Sequence, residues 1–324
     1  MERVISNTFI EDLEGGILRN ILKYVKSDTT LAMEIRKNSI NIYYRGGSLI
    51  KVRESNPNEY KAYFDKNYIA SDDRQSVILE CIDNITSVEK TKKLVDVIPK
   101  IKQQMDFWMH MKKPNGGERE YQHIVAKENN YGNIGKKSDY FICDIEYSGA
   151  LNENRNFNFD MIGIKWPSKE ENRKCTDNLD LCLIDMNYGD DYFDDQTAFL
   201  RNINDMYLFL CDENKLKTLK SEMIDVLKIK SRLGLIYPYK EVTVDFSNKI
   251  EIIFIFGNHN PENKELLREL NNLKNTEIFK NISKLADIKI SISSFMGYGL
   301  YENYMLSIDE TINLLESKKI RNYK

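Results

Sequence analysis

Proline is scarce, six in 324 residues, and cysteine supplies only five scattered thiols with no C-x-x-C pair. Few prolines and a 30% charged composition argue against extended disorder. An odd cysteine count without metal spacing makes a disulfide framework or zinc site an unsuitable reading. Cys143 and Cys182 fall inside predicted strands, where a thiol serves as a small apolar filler. The three histidines, His110, His123 and His259, share no ligand spacing, and no serine or cysteine sits in a nucleophile motif, which argues against a catalytic triad. No apolar run approaches the roughly 20 residues of a membrane span. The N-terminal MERVISNTFIEDLEGG is acidic and amphipathic, without the apolar centre of a signal peptide, so the expected compartment is the cytoplasm. Net basic charge is lacking too: the formal charge is −3, and binding to nucleic acid requires a local patch.

What is present suits folded cores, with 41% hydrophobic residues over a length that fits one large or two modest domains. Two apolar-periodic runs, FIEDLEGGILRNILKYV and TLAMEIRK, read as helices near 7–37. SINIYYRGGSLIKVRE reads as a hairpin turning at Gly46-Gly47. Helical patterns follow from Asp72 to Asp83 and from Val88 to about Lys112, the second kinked or interrupted at Pro99. The strongest breaker is PNGG, 114–117, which divides an α+β N-terminal domain, 1–113, from a second domain, 114–324.

In the second domain two strand-like runs each carry a carboxylate near their end. NFNFDMIGIKW places Asn158, Asp160, Ile162 and Ile164 on one face, and LCLIDMNYG places Leu181, Leu183, Asp185 and Asn187 on one face. An unpaired buried charge costs several kcal/mol or more, so such acids call for a partner. If the strands pair, Asp160 and Asp185 meet, and a divalent metal is an economical partner. The structural alternative is ion pairing, with Arg173 and Lys165 nearby. Asp144 and Glu146 share a face of the preceding strand, SDYFICDIEYSG, where solvated edge-strand acids are the expectation.

Asp160, followed by Asp185-Met186-Asn187, resembles the PD-(D/E)XK nuclease superfamily. The order helix, strand, strand, strand, helix, strand resembles it as well. The resemblance implies an α/β fold with a restriction-endonuclease-like mixed sheet flanked by helices. It implies Mg2+ (or Mn2+) held by Asp160 and Asp185, hydrolysis of DNA or RNA, and service in restriction, repair or defence. A glutamate from the preceding helix, Glu118 or Glu120, completes the family set. Glu118 is preferred because it shares a face with Tyr121, Gln122 and Val125. The departure is Asn187, which stands where the family has lysine. Asparagine orients water but carries no charge, so attenuated activity is expected, unless Lys136, Lys137 or Lys165 substitutes.

From 214 to 240 the chain carries Lys215, Lys217, Lys220, Lys228, Lys230, Arg232 and Lys240 against Glu222 and Asp225. This stretch reads as a phosphate-backbone contact or as a solvated helix face. Tyr43, Tyr44 and Arg45 read equally as a nucleic-acid contact or as hairpin packing, and GYGLY, 297–301, reads as a turn. The competing functions are a catalytically degenerate module that binds nucleic acid or protein, and an unrelated interaction protein with structural strand-end acids. A homodimer is open as an assembly.

Overall fold

A computed structural model describes residues 3–65, 68, 84–112, 117–130, 137–167, 175–190, 192, 195, 197–236, 242, 244–260, 263–293, 300 and 305–321. The chain is a mixed α/β protein with two sheets. It divides into two compact units, Met1–Lys127 with Glu222–Thr243, and Glu128–Ser221 with Val244–Lys324. The expected helix at 72–83, Lys136, Arg173, Lys240 and most of 297–301 lie outside the described residues, as do three residues of the 114–117 breaker.

The first unit opens with helices α1 (Asn7–Glu14) and α2 (Arg19–Ser27). A four-stranded antiparallel sheet follows, β1 (Leu31–Arg36), β2 (Ser39–Tyr44), β3 (Gly47–Asn56) and β4 (Glu59–Tyr63), in sequence order. TLAMEIRK is therefore a strand and not the expected helix. Pairing of Leu31–Arg36 with Tyr44–Ser39 satisfies the same backbone groups. The hairpin turn is also one residue earlier than Gly46-Gly47. Tyr44 pairs with Gly47, leaving Arg45 (φ +49°) and Gly46 (φ +76°) as the central residues. Two left-handed residues match the turn that suits strand twist. Arg45 is held there by Glu120 (2.6 Å) and Asp106 (2.9 Å), and the Tyr44 hydroxyl donates to Asp106. A Cβ on Gly46 would lie 2.1 Å from the Arg119 carbonyl oxygen. These side chains are engaged inside the unit, as hairpin packing requires.

Helix α3 (Val88–Lys112) contains Pro99 without ending there, and α4 (Glu118–Asn130) runs from one unit into the other. The second unit carries a five-stranded sheet in sequence order: β5 (Tyr140–Asn152), β6 (Arg155–Lys165), β7 (Leu179–Tyr188), β8 (Phe246–Gly257) and β9 (Asp287–Ser293). Pairing is antiparallel from β5 through β7 and parallel from β7 through β9. Parallel neighbours need crossovers. Between β7 and β8 these are α5 (Ala198–Leu210) and α6 (Glu213–Arg232); between β8 and β9 they are α7 (Glu265–Lys274) and α8 (Glu277–Ile282). Helix α9 (Ile308–Arg321) follows. The run Ile250 to Phe256 in β8 is buried throughout, as expected of an interior strand. No helix among the described residues is long and apolar enough to cross a membrane.

Helix α5 is fixed by aromatic contacts near both ends. Phe199 meets Phe254 and Phe256 at centroid distances of 5.0 and 6.0 Å, and Phe209 meets Phe157 and Phe159 at 4.8 and 5.0 Å. Edge contacts of this kind contribute about 0.5–1.5 kcal/mol each beyond burial. They set the position of Asn202, midway along the helix.

Candidate metal centre

Strands β6 and β7 pair from Lys165↔Asp180 to Met161↔Ile184. One further step along that register sets Asp160 across from Asp185, where the ladder stops. Oδ2 of Asp160 accepts from the Met186 backbone N–H at 2.8 Å. A side-chain oxygen thus satisfies an amide of the neighbouring strand just beyond the last ladder pair.

Asp185 is 6% exposed, and the Asp160 side chain is among the groups that act on its carboxyl. Nδ2 of Asn187 donates to Oδ2 of Asp185 at 3.3 Å. Nδ2 of Asn202 lies 3.5 and 3.3 Å from its two oxygens and 3.4 Å from the Tyr192 hydroxyl oxygen. Burial pushes the Asp185 carboxyl above the usual carboxylate range, opposed by hydrogen bonds from Asn202, Asn187 and Asp160. Two adjacent carboxyls cannot both ionise cheaply, which favours a proton or a cation between them.

Asn202 and Tyr192 were not singled out by the sequence reading. The signal for Asn202 was its place on the buried stripe of α5, between Phe199, Ile203 and Met206. Glu146 lies across from Asp160 in the strand register, bracketed by Ile145↔Met161 and Tyr147↔Phe159. Its backbone is left-handed, φ +54°, an uncommon conformation for a glutamate. The expectation of solvated acids on this edge strand fails for Asp144, which is fully buried.

Glu118 lies in the first turn of α4 in the other unit, exposed, with Oε1 accepting from Gln122 at 3.4 Å. Glu120 is the Arg45 partner. Of the possible lysine substitutes, Lys137 is exposed ahead of β5, and Lys165 reaches Glu251 at 3.3 Å. Glu251, buried in β8, also accepts from the Tyr140 hydroxyl at 2.8 Å. Lys165 is thereby committed to a structural ion pair.

The basic stretch is not one surface. Lys230 is fully buried, its ammonium 2.6 Å from Glu34, so it is withdrawn from any phosphate. Lys215 pairs with Asp212, and Lys220 donates to the Ser247 carbonyl at 2.6 Å. Arg232 pairs with Glu14 at 2.8 Å, while Lys217 and Lys228 are exposed. Periodicity could not separate these, because the partners of Lys230 and Arg232 lie about 200 residues away in sequence.

Among the described residues no group of three or more histidine, cysteine, aspartate or glutamate side chains is arranged to hold a metal ion. Magnesium retains several waters and is commonly held by one or two carboxylates. The hard oxygen donors of Asp160 and Asp185 fit that habit. Comparison with protein-family models, with curated proteins and with solved structures finds no match.

Proposed function

We propose that this protein hydrolyses phosphodiester bonds in DNA or RNA, using magnesium or manganese held by Asp160 and Asp185 on a restriction-endonuclease-like core. The observation that carries the reading is the strand register, which sets Asp160 across from the buried Asp185 where the two strands part. The order α4, β5, β6, β7, α5, β8 supports it as well. Bound metal would lower the pKa of a coordinated water and neutralise charge on the scissile phosphate. Asp160 and Asp185 bind it once their shared proton leaves. Asn187, on the same strand face as Asp185, orients water through its amide but contributes no positive charge. A missing electrostatic contributor of this kind costs about two or three orders of magnitude in rate, so turnover is slow.

Single-turnover cleavage of labelled single- and double-stranded DNA and RNA tests this, with Asp185→Ala as the blank. Weak metal-dependent cutting is expected from the wild type, with Asn187→Lys raising it by about tenfold or more. Brisk wild-type cutting slowed by Asn187→Lys would make asparagine the better water-orienting group.

A second reading is favoured by one observation. Both Asn187 and Asn202 direct their amides at Asp185, satisfying the carboxylate that would hold metal. In that reading the domain is a degenerate module that binds nucleic acid or protein. Binding without cleavage by either form selects it.

A further inference from the structure

We propose that the first unit carries a separate polyanion-binding groove on α2 that engages the phosphate backbone of a nucleic acid, an inference that rests on the nucleic-acid reading above. A groove of about 400 Å³ is lined by Leu13, Glu14, Arg19, Leu22, Lys23 and Lys26, with Ser27 at its end. Arg19, Lys23 and Lys26 stand at i, i+4 and i+7, one face of a helix rising 1.5 Å per residue, so three cations line about 10 Å of groove. The hydrogen bonds of Arg19 and Lys26 leave most of this charge uncompensated. Arg19 reaches the Gly15 carbonyl at 3.4 Å and Lys26 the Leu233 carbonyl at 3.3 Å, both neutral acceptors. Lys23 has no hydrogen-bond or ion-pair partner among the described residues. The carboxylate in the lining, Glu14, is already paired with Arg232, so it does not offset Arg19, Lys23 and Lys26. Glu89 is the further acid acting on Arg19.

The chain as a whole is acidic, −3, so this concentration of positive charge stands against the average. A row of cations flanking an apolar floor of Leu13 and Leu22 suits a sugar–phosphate backbone, with counterion release supplying the affinity.

The test uses the full chain and fluorescence anisotropy with a labelled 20-nucleotide DNA, as single strand and as duplex, in EDTA so that no metal or cleavage enters. The reversal Arg19→Glu/Lys23→Glu is expected to weaken binding at least tenfold near 0.1 M salt. It should reduce the slope of log K against log salt by about two. The equal charge change Lys280→Glu/Lys284→Glu, on exposed lysines of the second unit, is expected to leave both nearly unchanged. Matching thermal melts show that each variant folds. Binding and slope equal to wild type in the first variant would overturn the groove, as would equal losses in both. Absence of wild-type binding to either DNA would also overturn it. Manganese titration of Asp160 and Asp185 is independent of all these outcomes, so failure of the groove and failure of the hydrolase reading are distinguishable.

Discussion

Asp160 and Asp185 meet where β6 and β7 part, and the Asp160 carboxylate accepts the Met186 amide just past the last ladder pair. That arrangement couples strand geometry to chemistry. The ladder ends beside a buried acid, and a hydrogen bond to the backbone fixes the second acid. Asn202, anchored on α5 by its aromatic neighbours, supports the pair from the crossover helix.

Divalent binding should depend on pH above the ordinary carboxylate range, because the Asp185 carboxyl is raised by burial and the cation must displace the shared proton. Apparent manganese affinity should climb as pH rises above the ordinary carboxylate range and then level off. Isothermal titration at several pH values, in buffers of different ionisation enthalpy, should also detect proton release. Affinity that does not change with pH would argue against a proton competing with the cation.

Asp185→Asn should stabilise the protein at neutral pH while removing metal affinity. A raised folded-state pKa means the unfolded chain gives up its proton more readily, so the pair loses stability as pH rises through its own titration. A neutral amide donates to Asp160 without that cost. A gain of roughly 1 kcal/mol at pH 7.5 is the expected scale in urea denaturation. A loss of stability at neutral pH would contradict this account of the pair.

His123 supplies an acid-side test in the first unit. Burial lowers its pKa to about 4. The unfolded imidazole titrates near 6.5, so between these values the unfolded state binds the proton and the folded state does not. This contribution is fully present above pH 6.5 and is lost as pH falls toward 4, on the order of 3 kcal/mol at most. His123→Gln should flatten the pH dependence of the denaturation midpoint in that window. Parallel curves for the two proteins would assign the acid loss to other groups.

Lys230 should matter to stability and not to nucleic acid. Its ammonium is buried against Glu34, and breaking one side of such a pair leaves an unpaired charge, costing about 3–5 kcal/mol. Lys230→Met should therefore lower the melting temperature sharply, and Glu34→Leu/Lys230→Met should recover much of the loss. Additive losses in the double variant would show that packing, not charge pairing, holds this position.

The second-unit sheet was largely legible because its strands are short apolar runs with punctuating turns. β6, β7 and β8 follow directly from such patterns, and the acids inside β6 and β7 announced themselves by cost. Strand β1 was misread because Leu31–Arg36 contains good helix formers, and only pairing with β2 decides it. The turn at Arg45-Gly46 required knowing that arginine would adopt a left-handed backbone held by Asp106 and Glu120. Lys230 looked like its exposed neighbours since its partner, Glu34, is distant in sequence. Glu146 was visible as an acid on a strand face, but its placement across from Asp160 depends on the register between β5 and β6.

The central claim is that Asp160 and Asp185 together hold a divalent cation. Calorimetric titration of manganese into the wild type, Asp160→Ala and Asp185→Ala at pH 7.5 tests it most directly. One saturable site in the wild type, lost in both variants while their folds persist by circular dichroism, is the predicted result. Titrations indistinguishable among the three proteins would contradict it.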